Sequence, residues 1–262
     1  YIATTEHAEY MILPRMAALA EVQWTQPEKK DYADFTQRLP RLIKFYQRDS
    51  MNYAKHIFDI QAEYTTTQEE DGSGSGAIVA TLRTIDNAPI YYTLDGTEPT
   101  TASEQYNGTG IVIRQSADLR AVAIRPEGKS KVTEKNFYIN KATFCPIELT
   151  GTQPTPKYAF KGATALVDGM SGIDNYATGD WVGFLDGDVT AVIDLGASNG
   201  NAAGKTVAEL PEIKHVSTHA VIDMSAWVAG CTGLTVSVSD DNKSFREVAA
   251  KEFPVEMDSR KK

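Results

Sequence analysis

The sequence predicts a mainly β protein in which an N-terminal helical segment precedes two consecutive antiparallel β-sandwiches. Two observations lead to this prediction. Over about the first 56 residues, apolar side chains recur every three or four positions, which is the period of an amphipathic helix. From about residue 57 onward, short apolar runs alternate with clusters of glycine, asparagine, proline and aspartate, a pattern typical of strands joined by turns.

The helical segment is predicted to contain three helices. Thr4 and Thr5 are N-cap candidates for a short first helix, and Pro14 suits the first position of a second one. A third helix is predicted from about residue 31 to 48, although Pro40 should kink it. Its apolar residues share one face: Tyr32, Phe35, Leu39, Leu42 and Tyr46. Because such faces need a cover, we expect the helices to pack against a larger domain.

The two sandwiches are predicted from separate groups of strand-like runs. In the first group the runs are residues 78–85, 89–96, 111–115, 118–125 and 135–140. In the second group they are residues 191–196, 215–223, 234–240 and 245–250, together with one strand at 181–185 inside a loop-rich region. The many short strands and intervening turn residues favour antiparallel sheets over a helix-covered parallel sheet.

Composition excludes several classes of function. A net charge of −9 argues against a nucleic-acid partner, because a phosphate backbone requires a basic face. No run approaches the roughly 18 apolar residues that a membrane span needs, and no export signal is recognised after Tyr1. Cys145 and Cys231 fit no metal-ligand spacing, and the sequence does not decide whether they pair.

Three stretches of the chain resemble, in the same order, the C-terminal region of family-20 β-N-acetylhexosaminidases. Residues 14–24 and 34–46 look like the last helices of the (β/α)8 catalytic barrel. Residues 91–100, YYTLDGTEPT, are similar to the chitobiase/hexosaminidase C-terminal β-sandwich, which is immunoglobulin/fibronectin-like. Residues 166–169 and 234–245 resemble parts of a discoidin-like jelly roll, a fold often used as a carbohydrate-binding module.

The resemblance implies three regions. Residues 1–56 would be a helical remnant of the catalytic barrel, 57–144 the hexosaminidase C-terminal sandwich, and 145–262 a discoidin-like sandwich that is expected to be incomplete. It implies a non-catalytic accessory region of a secreted glycoside hydrolase that removes terminal β-linked N-acetylhexosamine. The location would be extracellular, periplasmic or at the cell surface, and the partners a glycan and the catalytic barrel of the same polypeptide.

Catalysis is expected to lie elsewhere in the parent protein. Family members use an adjacent Asp-Glu pair, held at the C-terminal ends of barrel strands on either side of the scissile bond. Only about 50 residues here could belong to a barrel, which needs roughly 250. We therefore predict no catalytic residue in this chain and no activity for it alone.

The candidate carbohydrate-binding residues are Tyr176, Asp180 and Trp181, in the loop-rich part of the last sandwich. Sugar recognition combines aromatic faces with a few polar groups in a loop cleft. Trp181 and Trp227 are also typical of core positions, whereas Tyr176 is expected to be an exposed ring. No cofactor or metal is predicted. The resemblance makes Asp168 a candidate ligand for a structural calcium ion, although Asp-Gly is also an ordinary turn.

The alternative function is a free-standing carbohydrate-binding or adhesion module of a cell-surface protein. Paired sandwiches suit surface recognition, and a fold alone does not determine function. The amphipathic helices argue against this alternative, because an independent module has no use for uncovered apolar helix faces.

Overall fold

The computed structural model describes residues 2–68, 76–126, 128–185, 187–196 and 212–254. Within these residues the chain is mainly β, with its α-helices near the start, as predicted. The helices are α1 (Thr5–Ile12), α2 (Arg15–Trp24) and α3 (Tyr32–Arg48). The strands are β1 (Gln61–Gln68), β2 (Gly76–Arg83), β3 (Ile90–Thr93), β4 (Glu104–Gln105), β5 (Ile111–Ile113), β6 (Ala117–Arg125), β7 (Gly128–Lys129), β8 (Thr133–Phe137), β9 (Ile147–Gly151), β10 (Val189–Ile193), β11 (Gly233–Val238) and β12 (Arg246–Glu252).

The Cα atoms divide into two compact units. The first contains residues 1–65, 79–112 and 117–135, and the second contains residues 66–78, 113–116 and 136–262. The helices therefore belong to the same unit as β3, β4, β6 and β7, whereas β9 to β12 belong to the second unit. The domain boundaries after residues 56 and 144 remain predictions.

The Thr4 cap of α1 was predicted, the Asp31 cap of α3 was not, and Pro14 lies at the N-cap of α2 rather than at its first position. The Thr4 hydroxyl accepts a hydrogen bond of 3.1 Å from the backbone nitrogen of His7, which satisfies a donor that α1 leaves without an intrahelical acceptor. Asp31 caps α3 in the same way, because its Oδ1 accepts from the backbone nitrogens of Ala33 and Asp34. Pro40 lies inside α3, and the predicted kink there remains a prediction.

The helices pack around a core that α3 supplies. Four buried side chains form it: Phe35, Leu39, Ile43 and Tyr53. Partly buried residues pack against this cluster, among them Ala17 and Ala18 of α2 and Leu13, which lies between α1 and α2. The side chains of α2 that face this cluster are small alanines, and its larger apolar side chains are exposed.

Strands β1 to β8 belong to two sheets. One sheet has five strands in the order β4-β3-β6-β7, with β8 also paired to β6, and another has the order β1-β2-β5. Antiparallel pairing is seen for β3 with β4 and β6, and for β6 with β7. Buried side chains of these strands in the first unit include Leu82, Ile90, Ile111, Leu119 and Val122. Successive side chains of a strand point to opposite faces of the sheet, so every second side chain can lie on the buried face.

The described residues of the second unit include two antiparallel strand pairs. β10 pairs with β9 from Val189 opposite Gly151 to Ile193 opposite Ile147, and β11 pairs with β12 around a register shift after Val236. Every residue of β12 is exposed. Cys145 is buried, Cys231 is exposed, and the two are not joined by a disulfide.

Two strand predictions in the second unit are wrong. Residues 215–222 have no regular secondary structure, and Asp223 makes only an isolated bridge to Val228. The predicted strand at 181–185 is also not formed, although Phe184 makes an isolated bridge to Pro154. In both places an alternating pattern lacks a neighbouring strand to complete a ladder, and strand propensity depends on that partner. The helices of the described residues are all too short or too polar to span a membrane.

Candidate functional site

The first candidate surface is the set of large exposed apolar side chains of α2, which we call the α2 face. It consists of Met16, Leu19 and Val22 on one side of the helix and of Trp24 at its last residue, which turns toward α3. The exposed fraction is 55% for Met16, 57% for Leu19 and 88% for Trp24. Neither α1 nor α2 contains a buried residue. An uncovered run of large apolar side chains on one helix marks an interaction surface rather than scattered exposure.

A groove of about 360 Å³ lies beside the α2 face, between α2 and α3. Its apolar wall includes Ala17, Leu39 and Trp24, and its polar edge is an ion pair between Glu21 and Arg38. The Arg38 guanidinium lies 2.7 Å from the Glu21 carboxylate. Its hydrogen bond to that carboxylate lowers the pKa of Glu21, so the pair stays ionised at neutral pH. A groove with apolar walls and one charged edge is better suited to bind the surface of another protein or domain than a small polar substrate.

The second candidate surface is an aromatic cluster in the loops of the second unit. Tyr158 is its centre: its ring lies 6.1 Å from that of Tyr176 in an edge-on arrangement and 6.5 Å from that of Phe160. Asn175 caps the short turn Tyr176–Thr178 by accepting a 2.9 Å hydrogen bond from Ala177. This cap fixes the backbone that carries Tyr176, so the two tyrosine rings have a defined mutual orientation.

Trp181 lies on the same loop, where contacts with Ile173 and Gly172 fix its side chain. Its indole nitrogen donates a 2.8 Å hydrogen bond to the carbonyl oxygen of Ile173. Its ring covers Gly172 so closely that a Cβ atom at Gly172 would lie 2.3 Å from the ring. The absence of a side chain at Gly172 therefore lets Trp181 occupy this position.

Charged groups border the aromatic cluster. The Lys157 ammonium lies 5.0 Å from the centre of the Tyr158 ring, and its hydrogen bond with the Tyr158 side chain raises the pKa of Lys157. Asp180 Oδ2 accepts a 3.3 Å hydrogen bond from the Thr178 hydroxyl. The cluster thus offers aromatic faces together with a donor and an acceptor, the combination expected for a sugar contact.

The sequence located this surface only in part. Tyr176, Asp180 and Trp181 all lie on the loop at residues 172–183, with Tyr176 and Trp181 partly buried. Tyr158 and Phe160 were missed, although the aromatic pair in the Pro-flanked segment 154–160 was a usable signal. Trp227 is 91% exposed, so the expectation of a core position for it is wrong.

Asp168 has ordinary protein partners. Its Oδ1 accepts a 2.9 Å hydrogen bond from the Met170 nitrogen, and its Oδ2 lies 3.3 Å from the Lys161 ammonium. In the portion of the chain that the structure describes, no three His, Cys, Asp or Glu side chains are grouped as a metal site. The observed contacts are those of a capped turn held by an ion pair.

Comparison with known proteins finds similarity over parts of the chain. Residues 80–137 match the family described as Fn3 associated. The chain is 29% identical over 174 residues to a β-hexosaminidase of Porphyromonas gingivalis, which covers 64% of this chain and 20% of that protein. It is 47% identical over 38 residues to a β-N-acetylhexosaminidase of Cellulomonas fimi, covering 14% of this chain and 8% of that protein. The chain thus spans about a fifth or less of the length of these relatives. It is similar to β-hexosaminidases over most of its length and carries an Fn3-associated domain at 80–137.

Proposed function

We propose that this chain is a non-catalytic accessory region of a secreted family-20 β-N-acetylhexosaminidase. The observation that carries the proposal is the exposed α2 face, a surface that the described part of the chain leaves uncovered. The matched segment is only 20% of the length of the Porphyromonas gingivalis β-hexosaminidase. This supports the proposal that the catalytic region of the same polypeptide covers the α2 face. The catalytic region would bury the α2 face. The catalytic carboxylates would belong to that region and not to this chain.

The α2 face would act as a brace. Large apolar side chains on a helix stabilise an interface chiefly through a few deeply buried residues, and tryptophan is prominent among them. Trp24 borders both the α2 face and the adjoining groove, so it is the side chain best positioned to insert into a partner surface.

Replacing Trp24 with alanine tests this role. In this chain alone the free energy of unfolding should change by less than about 0.5 kcal/mol, because Trp24 is 88% exposed. In the longer polypeptide that includes the catalytic region, stability should fall by about 2 kcal/mol, because a buried interface tryptophan is lost. Chemical denaturation of both proteins, with hydrolysis of an aryl β-N-acetylglucosaminide as the activity readout, measures the difference.

Trp227→Ala is the matched control, because Trp227 is equally exposed at 91% but does not lie on the helices. It should leave both proteins unchanged. Equal effects of Trp24→Ala and Trp227→Ala on the longer polypeptide would overturn the bracing role, and hydrolysis by this chain alone would overturn the non-catalytic assignment.

The aromatic cluster supports a glycan-contact role within the same proposal, with the last region as a discoidin-like sandwich. Tyr158 and Tyr176 present perpendicular rings, and Lys157 and Asp180 supply polar groups beside them. Rings of this kind can stack on the apolar face of a sugar while the polar groups bind its hydroxyls. A free-standing binding module would also use this cluster, but it would leave the α2 face uncovered.

Tyr176→Ala should weaken binding to glycans that end in β-linked N-acetylhexosamine by about tenfold, because an aromatic contact worth over 1 kcal/mol is removed. Gly172→Ala should weaken it as well, since the new methyl group displaces Trp181. Titration against an array of such glycans measures both. Tyr32→Ala is the control, because it removes a tyrosine that lies on α3 and outside the aromatic cluster, and it should bind normally. Unchanged affinity in the Tyr176 variant would remove the cluster from the proposal.

A further inference from the structure

A small polar groove occupies the edge of the five-stranded sheet, where the chain leaves β4 and turns toward β5. Its volume is about 210 Å³. This is the space of about seven water molecules at ~30 Å³ each, or of one small ring. Six of its lining residues matter for its chemistry: Tyr92, Glu104, Tyr106, Asn107, Thr109 and Val112.

Strand register brings three of these side chains together. Tyr92 lies directly opposite Glu104 in the antiparallel pair of β3 and β4. Tyr106 continues the line of β4, because its backbone nitrogen donates a 2.8 Å hydrogen bond to the carbonyl oxygen of Ile90. Residues two apart on a strand share a face, so Glu104 and Tyr106 lie on the same side as Tyr92.

Glu104 is the acceptor of the groove. Burial, and then the hydrogen bond to the Glu104 carboxylate, raise the pKa of Tyr92 to about 12, so the Tyr92 hydroxyl stays protonated and donates to Glu104. A carboxylate can accept several hydrogen bonds, and Glu104 is exposed to solvent. It therefore keeps acceptor capacity for a ligand hydroxyl.

Asn107 supplies the complementary group. The Asn107 Oδ1 accepts from both the backbone nitrogen and the hydroxyl of Thr109, at 3.0 and 2.7 Å, which leaves its amide NH₂ as a donor. Tyr106 also lines the groove, but its hydroxyl oxygen is buried and has no hydrogen-bond partner within the described residues. A buried hydroxyl without a partner destabilises the fold.

The wall that carries Asn107 is fixed close to the sheet. Gly110 has a φ of +84°, and a Cβ atom there would lie 2.7 Å from Cγ1 of Val79. Only glycine allows the loop to approach β2 this closely. The donor and acceptor groups on the two sides of the groove are therefore held by a sheet register and a packed turn, which limits the reorganisation that binding requires.

We propose that this groove binds one ring of a neutral saccharide, with Glu104 accepting from a ring hydroxyl and Asn107 donating to an adjacent one. The size fits one ring, and the lining combines an acceptor, Glu104, and a donor, Asn107, with tyrosine and aliphatic side chains. The charge of Glu104 disfavours an anionic ligand. The site lies on the Fn3-associated domain and uses none of the residues of the aromatic cluster.

Saturation-transfer NMR with N-acetylglucosamine and with methyl β-glucoside as probes tests the groove on the whole chain. We expect millimolar affinity, as is usual for a contact of this size. Glu104→Gln keeps the shape but removes the charge, and should weaken binding by about tenfold because charge-assisted hydrogen bonds are the stronger kind. Tyr106→Phe should leave the melting temperature unchanged or higher, since the hydroxyl it removes has no protein partner.

Glu98→Gln is the matched control, because Glu98 is an exposed carboxylate that pairs with Lys129 and does not line the groove. It should bind both probes normally, and Tyr176→Ala should retain the groove signal even if it loses binding at the aromatic cluster. Binding that is equal in wild type and Glu104→Gln, or absent at tens of millimolar probe, would overturn the proposal and leave the groove as a site for water.

Discussion

Replacing Arg125 with methionine is expected to lower the free energy of unfolding by about 3 kcal/mol, the lower end of the range for breaking a buried ion pair. Arg125 binds Asp86 through two parallel hydrogen bonds, from Nε at 2.7 Å and from a terminal nitrogen at 2.8 Å. Its side chain is 10% exposed and that of Asp86 17%. Methionine preserves the packing of the stem but leaves the Asp86 charge without its partner.

The same arginine links the helical segment to the sheet inside the first unit. A terminal nitrogen of Arg125 donates a 2.9 Å hydrogen bond to the carbonyl oxygen of Phe58, and the guanidinium lies 5.5 Å from the Phe58 ring. Asp59 adds a second tie by accepting from the backbone nitrogen of Lys131. Arg125→Lys should therefore be nearly as destabilising as Arg125→Met. One ammonium group cannot make both hydrogen bonds to Asp86 and also the hydrogen bond to the carbonyl oxygen of Phe58.

The effect of the Arg125 variant should depend on pH. Burial raises the pKa of Asp86, but the hydrogen bond and charge of Arg125 outweigh it and hold that pKa below its ordinary value. The stability from this pair is thus present above about pH 4, where the unfolded carboxyl is ionised, and is lost as pH falls through the lower folded-state pKa. The difference between wild type and variant should shrink at acid pH.

Urea denaturation of wild type and Arg125→Met at pH 7 and near pH 3 tests both the loss of stability and its decrease at acid pH. Arg38→Met is the control, since Arg38 pairs with Glu21 and Asp34 on an exposed surface and screened pairs contribute little. A loss at pH 7 no larger than that of Arg38→Met would show that the Arg125 contact is not a structural tie.

Local sequence signals predicted the elements whose stability is local. The cap at Thr4 and the apolar face of α3 follow from side chains within one or two turns of each other, so α1 and α3 lie where the sequence indicates. Alternation likewise located β6 and β11. The run at 215–223 has the same alternation, yet a strand also needs a neighbouring strand, and sequence pattern does not provide one.

The candidate sites show the same limit. Tyr176 and Trp181 were predicted as sugar contacts because they are aromatic residues in a Gly/Asp-rich loop, and this role remains a prediction. The position of Tyr158 beside Tyr176 depends on how two loops fold back on each other, and the register of Tyr92 with Glu104 depends on a sheet pairing. Neither can be calculated from spacing along the chain, so both the aromatic cluster and the groove needed coordinates.

Replacing Leu39 with alanine should destabilise this chain by about 3 kcal/mol, within the range of 2–5 kcal/mol for a buried leucine. Leu39 is 1% exposed and lies in the cluster with Phe35, Ile43 and Tyr53. Ala17 and Ala18 of α2 pack on this cluster, so a cavity at Leu39 removes support from the helix that carries Trp24. The variant should therefore weaken the α2 face indirectly, without changing any residue on it.

Leu19→Ala is the matched comparison, because Leu19 has the same side chain on α2 but is 57% exposed. In this chain alone it should cost less than about 0.5 kcal/mol, as exposed substitutions usually do. In the longer polypeptide Leu19→Ala should become destabilising, whereas Leu39→Ala should be destabilising in both. Thermal unfolding of the four proteins separates a core leucine from an interface leucine. If both variants behaved alike in the longer polypeptide and in the chain alone, the α2 face would have no partner there, and the helices would serve only to cover one another.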